Sequence, residues 1–560
     1  MEFISLALSK IASGIGPFFL LLGLLIFVHE LGHFLVAVYF GVRVETFSLG
    51  FGKKIFSYKR GDTTYCLSLI PLGGYVKMYG DDPSLDIPED QKKYSFLHKP
   101  VWPRIAIVLA GPLMNLIFAI FVFGVVGMLG EKVPGTQLGD IDTGSAAYSA
   151  GFRSGDQILK IGSTSVNQWS EVKEIIERSA GKTLSFVVQH DGSEQVEEIS
   201  AMPEIGKNPF LFSTERQVGQ IEGLSTDSAS SLIAVPNEKS PAALSGLKTF
   251  DLIESINGTE VNYWRQLEPL LAAGIVAGEI KIVARGFSDK GESLPERTIQ
   301  LPITGLNNDS PLLNQIGITR TDLFLLSIRE KSPAALAGLK AGDQVVDVDG
   351  KKVLQWQTIL DKVKSFKLAD KSIAFTVSRN GEEKTVSIIP EQIDLPTEQG
   401  AMESRYAIGV VPAILSSPNA PYLFKISNPL SAAVYGVQQS WVWTKLIAIS
   451  LVRLVQNEVS ARNIGGVITI GRVASKSFEV GVGAFLKMMA IISINLFLLN
   501  LLPVPVLDGG HLVFFTIEAL KGAPISFKKL EIAQQVGLVL LLSLMLFALF
   551  NDISHLISSW

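Results

Sequence analysis

The sequence predicts a membrane α-helical bundle of four transmembrane helices with a membrane-associated β-region, together with three soluble α+β domains on the outer side of the membrane. Three observations predict this fold class: four long apolar stretches, an alternating pattern between residues 44 and 80, and a motif that occurs three times. The chain has 560 residues, which is too long for one hydrophobic core. Its residues are 47% apolar and only 18% charged, which indicates a chain that is part membrane and part soluble.

Four stretches are apolar over a length that can span a bilayer, for which about 20 residues are needed. The first membrane block, residues 1–130, contains the predicted helices 14–40 and 105–129, and the second block, residues 484–560, contains 485–506 and 533–551. The N-terminal stretch is longer than the core of a signal peptide and carries two histidines. We therefore predict that this helix is retained rather than cleaved.

A fifth apolar stretch, residues 431–454, is interrupted by two glutamines and Lys445 and carries two tryptophans. This mixture is typical of a helix at the membrane surface, so we predict an interfacial helix and its connection for residues 425–480. The short loops predict the orientation, because ten lysines and arginines lie between residues 41 and 104 and three more between 520 and 530. Positively charged loops stay in the cytoplasm, which places both termini and the middle region on the far side of the membrane.

Composition excludes some classes of function. The net charge is only -4 and no basic tract stands out, so we predict no nucleic-acid partner. Cys66 is the single cysteine, which rules out an intramolecular disulfide and a zinc site made of cysteines. We expect Cys66 to be a small buried apolar residue.

The middle region contains three copies of one pattern. "GSAAYSAGFRSGDQ" begins at 144, "KSPAALSGLKTFDL" at 239 and "KSPAALAGLKAGDQ" at 331, which predicts domains at 131–210, 215–305 and 308–395. The pattern resembles PDZ domains of the bacterial protease type, and the resemblance implies binding of an extended peptide by strand addition. The second copy has Phe250 where the others have Gly155 and Gly342. The sequence therefore leaves open whether the second copy keeps the turn geometry of the other two. Whether the copies select substrates or act as spacers stays open.

The sequence "HELGH" at residues 29–33 lies inside the first apolar stretch, where Glu30 is the only formal charge between Lys10 and Arg43. A carboxylate at membrane depth costs about 3 kcal/mol, so it is expected to be functional. On a helix, His29 and His33 project from one face, the geometry in which two imidazoles bind one zinc ion and a carboxylate acts as base. Ordinary packing would leave three polar side chains without partners in lipid.

Two histidines leave zinc short of a third protein ligand. The third apolar stretch ends in "NLLPVPVLDGGHL", where prolines and glycines break the helix around Asp508. Irregular backbone at membrane depth is tolerated where it lines a buried or watery site, so Asp508 is our candidate third ligand. His511 ranks second, and the alternative for Asp508 is a helix cap.

"HELGH", "AGPLMN" at 110–115 and "NLLPVPVLDGGH" at 500–511, with PDZ-like copies between them, resemble the site-2 protease family of intramembrane zinc metalloproteases. The resemblance implies a Zn²⁺ cofactor, with His29, His33 and Asp508 as ligands and Glu30 as general base. It implies a multi-pass protein of the bacterial cytoplasmic membrane, with the active site toward the cytoplasm and the PDZ-like domains on the periplasmic side. Its substrates would be single-span membrane proteins already trimmed on the outer side, such as an anti-sigma factor, or remnant signal peptides.

The resemblance also implies substrate-binding residues. Asn495 and Asn500 would lie near the cleft, although buried Asn side chains, Asn115 included, also serve as interhelical hydrogen bonds in membranes. The β-region 44–80, with turns expected near 52–54, 59–62 and 73–74, would be a membrane-dipping sheet whose edge pairs with substrate. That role makes Gly73, Gly74 and Tyr75 candidates, and a plain cytoplasmic hairpin is the alternative.

Two features depart from the family pattern: three PDZ-like copies where two are usual, and Val467 where a proline is more common. Neither lies in the predicted zinc site. A scaffold protein with a structural metal and a membrane metal transporter are the rival classes. The combination of an intact Glu30 with peptide-binding repeats favours the protease.

Overall fold

The structure is a computed structural model. It describes residues 16–558 except 83–86, 143, 209–212, 214, 288–292, 303–310, 354–355, 368–369, 380, 397–401, 419–420, 457–460, 462–463 and 524. The chain divides into two compact units. The membrane unit comprises Met1–Glu131, Phe210–Thr214 and Leu423–Trp560, and the repeat unit comprises Lys132–Pro209 and Glu215–Tyr422.

The membrane unit is mostly helical. Its helices are α1 (Gly16–Tyr39), α2 (Val101–Leu129), α3 (Pro429–Val455), α4 (Val467–Val480), α5 (Val482–Asn500), α6 (Asp508–Lys521) and α7 (Phe527–Ser558). A 3-10 helix covers Glu89–Tyr94. Helix α2 packs against α1, α3, α5 and α6, so it is the common support of this unit. Within the described residues, four helices are long and apolar enough to span a membrane, namely α1, α2, α5 and most of α7, which confirms the prediction of four such helices.

The third predicted span, 485–506, is wrong at its C-terminal end, because helix α5 ends at Asn500. Pro503 and Pro505 follow, and proline neither donates a backbone hydrogen bond nor lets the preceding residue remain helical. Residues 501–507 therefore form turns, and the next helix, α6, begins directly at Asp508. The interruption places the acidic side chain of Asp508 at the start of a helix inside the membrane unit.

The predicted interfacial segment forms one unbroken helix, α3, of 27 residues, and it is not among the four candidate spans. It packs closely on α2, where a Cβ added to Gly436 would overlap the backbone of Ile120 and a Cβ added to Gly124 would lie 3.1 Å from a backbone oxygen of α3. The connection behind it holds a further helix, α4, that the sequence did not predict. Its 14 residues include three charges, so its apolar face is too short to resemble a span.

The β-region is a single long antiparallel hairpin of β1 (Val44–Arg60) and β2 (Thr63–Met78). Its turn lies at residues 61–62, as expected, but the turns expected near 52–54 and 73–74 are wrong. Both glycine segments lie inside the strands, close to shifts of register between the two strands. Cys66 is buried within the hairpin.

The repeat unit is built of small antiparallel sheets, and each of its three repeats has its own buried core. The first repeat has helices Ala146–Ala150 and Trp169–Arg178 and strands Gln157–Ile161, Thr164–Ser165, Leu184–Gln189, Val196–Ala201, Glu204–Lys207 and Gln217–Gln220. The second has helices Pro241–Leu244, Leu267–Ala277 and Leu312–Ile316, a 3-10 turn Trp264–Gln266, and strands Leu232–Ala234, Asp251–Ile256, Thr259–Glu260, Ile280–Arg285, Arg297–Leu301 and Thr319–Arg320. The third has helices Pro333–Leu336 and Trp356–Lys364 and strands Leu325–Ile328, Gln344–Val348, Lys351–Lys352, Ile373–Arg379, Glu382–Ile388, Glu391–Pro396, Met402–Ala407 and Val410–Pro412. Short strands also cover Glu131–Pro134, Asp227–Ala229, Ser416–Pro418 and Pro421–Phe424.

Two of these sheets continue past the boundaries expected from the sequence. The second repeat takes in Thr319–Arg320, beyond residue 305, because this strand pairs with Leu232–Ala234. The third repeat takes in Val410–Pro412, beyond residue 395, because this strand pairs with Leu325–Ile328. Each closing strand has only two or three residues, which leaves little periodicity in the sequence to reveal it.

The second repeat keeps the turn geometry of the other two despite its substitution. Phe250 has φ of 71°, close to the 88° of Gly155 and the 87° of Gly342. A left-handed backbone is costly for a bulky residue, so the surrounding structure must hold it. The Phe250 ring packs beside a buried cluster that includes Leu232 and Phe324.

Each repeat buries one aspartate after its first short helix and pairs it with a cation. Asp251 pairs with Arg297 and Asp343 with Arg379. In the first repeat the position that matches Arg379 in the sheet register is His190, whose Nδ1 lies 2.9 Å from Asp156 Oδ1. The first repeat alone therefore pairs this buried carboxylate with a group that titrates near neutral pH.

His190 is held between two carboxylates, because its Nε2 also lies 2.8 Å from Glu197 Oε2. The hydrogen bond with Glu197, followed by the one with Asp156, raises the pKa of His190 above its ordinary value of about 6.5. A backbone N–H at Arg153 also donates to Asp156, and Asp191 follows His190 in the chain. The folded repeat thus favours protonated His190.

We expect the first repeat to lose stability as the pH rises. The stabilisation from protonated His190 is complete below the ordinary pKa of histidine and is lost as the pH rises through the raised pKa. His190→Arg should remove this dependence, because arginine stays charged. Amide hydrogen exchange of the strand Leu184–Gln189 in the two full-length proteins measures the effect, with the second repeat as internal reference. Equal pH profiles for wild type and variant would show that His190 does not control the stability of the repeat.

Candidate metal centre

Two elements of the membrane unit bring three ligand groups together. Helix α1 places His29 and His33 one turn apart on one face, and α6 contributes Asp508 from its first turn. The Nε2 atoms of the two histidines are 3.2 Å apart, and Asp508 carboxylate oxygens lie 3.2 Å from His29 Nε2 and 3.6 Å from His33 Nε2. Within the described residues this is the one group of three such side chains whose ligand atoms lie within 4.8 Å of one another.

These separations fit a zinc site. Zinc–nitrogen and zinc–oxygen distances of about 2.0–2.2 Å in a tetrahedron place neighbouring ligand atoms about 3.3 Å apart. Asp508 presents a different carboxylate oxygen to each histidine, so the two nitrogens and the carboxylate group form a triangle of the size that such a tetrahedron needs. Catalytic zinc sites keep their fourth position for water or substrate. The donor set of two imidazoles and one carboxylate is also one that zinc prefers.

Helix α2 holds the two imidazoles in this orientation. His33 Nδ1 lies 2.8 Å from the backbone oxygen of Ile107, and His29 Nδ1 lies 3.2 Å from the side-chain amide of Asn115. Both contacts fix the planes of the imidazole rings, so that the Nε2 atoms face Asp508. A hydrogen bond on the outer nitrogen is the usual means by which proteins orient metal-binding histidines.

The two helices approach closely because each has a glycine at the contact. A Cβ added to Gly111 on α2 would overlap His33 Nε2 and lie 2.9 Å from His29 Cε1. A Cβ added to Gly32 on α1 would overlap the backbone oxygen of Ala110 and lie 2.9 Å from Met114 Cβ. Small residues at such crossings let helix backbones pack tightly in membrane proteins. The glycine of "AGPLMN" therefore makes room for the histidines.

Asp508 is fixed from both ends of α6. Cβ atoms on Gly509 and Gly510 would overlap the backbone of residues 501–505, so the irregular segment folds directly over the first turn of α6. At the other end, Arg104 Nη2 lies 2.6 Å from Glu518 Oε1, and both side chains are largely buried. This ion pair ties α6 to α2, the same helix that orients the histidines.

Glu30 lies beside both the ligands and the second strand of the hairpin. Its carboxylate accepts a hydrogen bond from the backbone of Val76, and a Cβ added to Gly74 would lie only 3.1 Å from Glu30 Cγ. Phe51 covers Gly73 and stacks on Tyr75 with ring centroids 6.2 Å apart. The structure thus brings the Gly73–Tyr75 segment to the carboxylate that the sequence predicts as base.

The remaining candidates take separate places. Asn500 is the last residue of α5, Asn495 lies in the same helix, and both are partly exposed. His511 lies in the first turn of α6 near Phe514 and Phe515 and does not join the three ligand groups. The geometry therefore favours Asp508 over His511 as third ligand.

Sequence reasoning gave no role to Gly111 or to the pair of Arg104 and Glu518, and it gave Asn115 only an interhelical one. The pair had a detectable signal, because Arg104 begins an apolar helix and Glu518 is the only charge between Asp508 and Lys521. Gly111 and Asn115 had no such signal in the sequence, because a glycine or an asparagine in an apolar helix has many ordinary explanations. Their roles depend on which face of α2 meets α1.

Apolar helices of spanning length, together with a group of side chains that could bind zinc, define the class of membrane metalloproteins. The family model described as Peptidase family M50 matches residues 17–544. The chain therefore belongs to Peptidase family M50.

The chain is similar to curated bacterial proteins along nearly its whole length. It is 30% identical over 548 residues to "Regulator of sigma-E protease RseP" of Escherichia coli, covering 97% of this chain and 98% of the relative. It is 31% identical over 546 residues to "Protease RseP" of Yersinia pestis, with the same coverage of 97% and 98%. A "putative zinc metalloprotease" of Neisseria meningitidis is 30% identical over 95% of this chain and 97% of its own. Among solved structures, a PDZ domain from Listeria monocytogenes matches 17% of this chain and 90% of its own at 23% identity, with a TM-score of 0.14 that carries no argument.

Proposed function

We propose that the protein is an intramembrane zinc endopeptidase that hydrolyses a peptide bond in or near the transmembrane segment of single-span membrane proteins. One observation carries the proposal: a triangle of zinc-binding atoms and a carboxylate lie between apolar helices, beside the edge of a β-strand. An anti-sigma factor and remnant signal peptides are the proposed substrate classes. A curated relative bears the name "Regulator of sigma-E protease RseP".

His29, His33 and Asp508 would hold the zinc ion, and Glu30 is the proposed general base. Zinc supplies a Lewis acid that polarises the scissile carbonyl and makes water a nucleophile at neutral pH. Glu30 takes a proton from the attacking water and delivers it to the leaving nitrogen. The hydrogen bond from Val76 holds the Glu30 carboxylate at one end, which leaves it positioned for this transfer.

Hydrolysis at this site needs substrate backbone in an extended form. A transmembrane helix that unwinds loses its internal hydrogen bonds, and in lipid each lost bond needs a new partner. We propose that the strand around Gly73, Gly74 and Tyr75 supplies these partners by strand addition. Asn495 and Asn500 would then hold unwound backbone from the side of α5 through their amide groups.

The hairpin is proposed to dip into the membrane. Large apolar side chains toward its turn are exposed, including Ile55, Phe56 and Tyr58. Exposed apolar clusters of this kind mark contact with a partner or a membrane. The lipid bilayer is the partner that matches a hairpin whose other end touches a site between membrane helices.

The repeats are proposed to gate substrate entry from the periplasmic side, with the metal centre toward the cytoplasm. The third repeat offers a groove for an extended apolar segment. Its walls come from the helix Trp356–Lys364 and from the strand Val410–Pro412 with the residues before it. Helix-and-strand grooves of this kind accept a peptide as an added strand.

The test is cleavage of a tagged single-span protein, already trimmed on its outer side, by the full-length chain in detergent micelles. We expect cleavage within or next to the apolar segment, loss of cleavage when zinc is removed by a chelator, and recovery when zinc is added back. Mass spectrometry of the fragments locates the bond. Cleavage that persists without zinc, or no cleavage of any single-span substrate by zinc-loaded protein, would overturn the proposal in favour of a scaffold or transporter.

A further inference from the structure

Asn115 lies between the metal centre and the core of the membrane unit. Its side chain is fully buried, at 0% exposure, and Nδ2 of its amide lies 3.2 Å from His29 Nδ1. Its other amide atom, Oδ1, is buried without a hydrogen-bond partner among the described residues. Its backbone oxygen accepts a hydrogen bond of 2.8 Å from Ser493 Oγ, which fixes this part of α2 against α5. An amide with one unsatisfied atom beside a metal ligand is a feature that packing does not require.

The direction of the Asn115–His29 hydrogen bond decides whether His29 can bind a metal. A neutral imidazole carries its proton on only one nitrogen, and the other one accepts or binds metal. An amide NH₂ facing Nδ1 requires Nδ1 to accept, which places the proton on Nε2. That proton occupies the position that the metal needs, because His29 Nε2 faces His33 and Asp508.

The opposite amide orientation selects the other tautomer. If the amide turns by half a turn about its Cβ–Cγ bond, Oδ1 faces His29 and accepts a proton from Nδ1. Nε2 then has a free lone pair directed at the site. His33 has no such choice, because its partner is the backbone oxygen of Ile107, which only accepts. The two ligands on α1 therefore differ, one with a fixed tautomer and one with an adjustable tautomer.

We propose that Asn115 is a positioning residue whose amide orientation sets the tautomer of His29 and is coupled to zinc binding. The proposal rests on the proposed function, because it needs His29 to be a zinc ligand. In the zinc-bound protein the Asn115 oxygen accepts from His29 Nδ1–H. In the other arrangement the amide nitrogen faces His29 Nδ1, as it does in this structure, and the proton on His29 Nε2 then competes with the metal. A neutral amide serves both states, whereas a carboxylate serves only the first.

The test compares zinc affinity of the full-length protein in detergent, measured by competition with a chromogenic chelator. Asn115→Leu removes the acceptor and should weaken zinc binding about 10- to 100-fold. Asn115→Asp keeps the shape and the acceptor, so its zinc affinity should equal or exceed that of the wild type. The control is Asn551→Leu, which removes another buried amide of the membrane unit, one that donates to the backbone oxygens of Ala461 and Ile464.

The control separates tautomer selection from packing. We expect Asn551→Leu to lower the thermal stability of the metal-free protein and to leave zinc affinity unchanged. Wild-type affinity in Asn115→Leu, or an equal loss in Asn115→Asp and Asn115→Leu, would overturn the proposal and leave Asn115 with a packing role. If Asn115→Leu does not fold, the nearly isosteric Asn115→Asp still tests whether an acceptor suffices. A wild-type protein that binds no zinc at all would instead refute the proposed function.

Discussion

Replacing Glu30 with glutamine is expected to abolish peptide cleavage and to leave zinc bound. Glutamine has the size of glutamate and can keep a hydrogen bond near Val76, but it cannot take a proton from water. Loss of a positioned general base lowers the rate by about 10²- to 10⁴-fold. Because Glu30 is not among the three ligand groups, the zinc site itself should persist. Cleavage of the tagged single-span substrate and the zinc content of the same preparation are the two measurements.

The control for this variant is Glu45→Gln. Glu45 lies at the start of β1 and forms an exposed ion pair with Lys77, with 2.8 Å between Glu45 Oε2 and Lys77 Nζ. Exposed pairs contribute little to stability, so this variant should cleave at the wild-type rate. Wild-type cleavage by Glu30→Gln would refute the role of Glu30 as base. Loss of zinc in Glu30→Gln would show that Glu30 is needed to hold the metal.

The candidate ligands and the candidate base could be predicted from the sequence, because the features that indicate them are local. The spacing of His29 and His33 is one helical turn, and a lone carboxylate in an apolar helix points to function. Asp508 is indicated as a candidate ligand by the prolines and glycines around it, because they break the helix beside a carboxylate. These inferences need only periodicity, helix-breaking residues and the cost of charge in lipid.

The supporting parts depend on contacts between segments that are distant in the chain. Asn115 lies 86 residues after His29, and only the packing of α2 on α1 brings them together. Gly73 and Gly74 resemble turn residues in sequence, yet the structure uses them as strand positions where Phe51 and Glu30 come close. A glycine signals either a bend or a close approach, and local sequence does not distinguish the two. This ambiguity explains why two of the expected turns were wrong.

Gly111 is another glycine that serves a close approach, and we expect the metal centre to be sensitive to a larger side chain there. Gly111→Ala is expected to prevent zinc binding and to reduce cleavage to background. The added methyl group would overlap His33 Nε2 and press on His29 Cε1. Withdrawal of α2 would break the close contact between Gly32 and the Ala110 backbone, so the packing of the two helices opposes it. The imidazoles must therefore leave the triangle of ligand atoms.

The helix itself should not suffer from this substitution, because alanine favours a helix over glycine by about 1 kcal/mol. Loss of zinc without loss of helix stability is thus the expected signature, measured by chelator competition together with thermal unfolding of the metal-free protein. Gly23→Ala is the matched control, since a Cβ at Gly23 in α1 would meet no atom within 4 Å. Wild-type zinc affinity in Gly111→Ala would mean that α1 and α2 separate without disturbing the ligands. In that case the close approach of these helices would not be what sets the geometry of the metal centre.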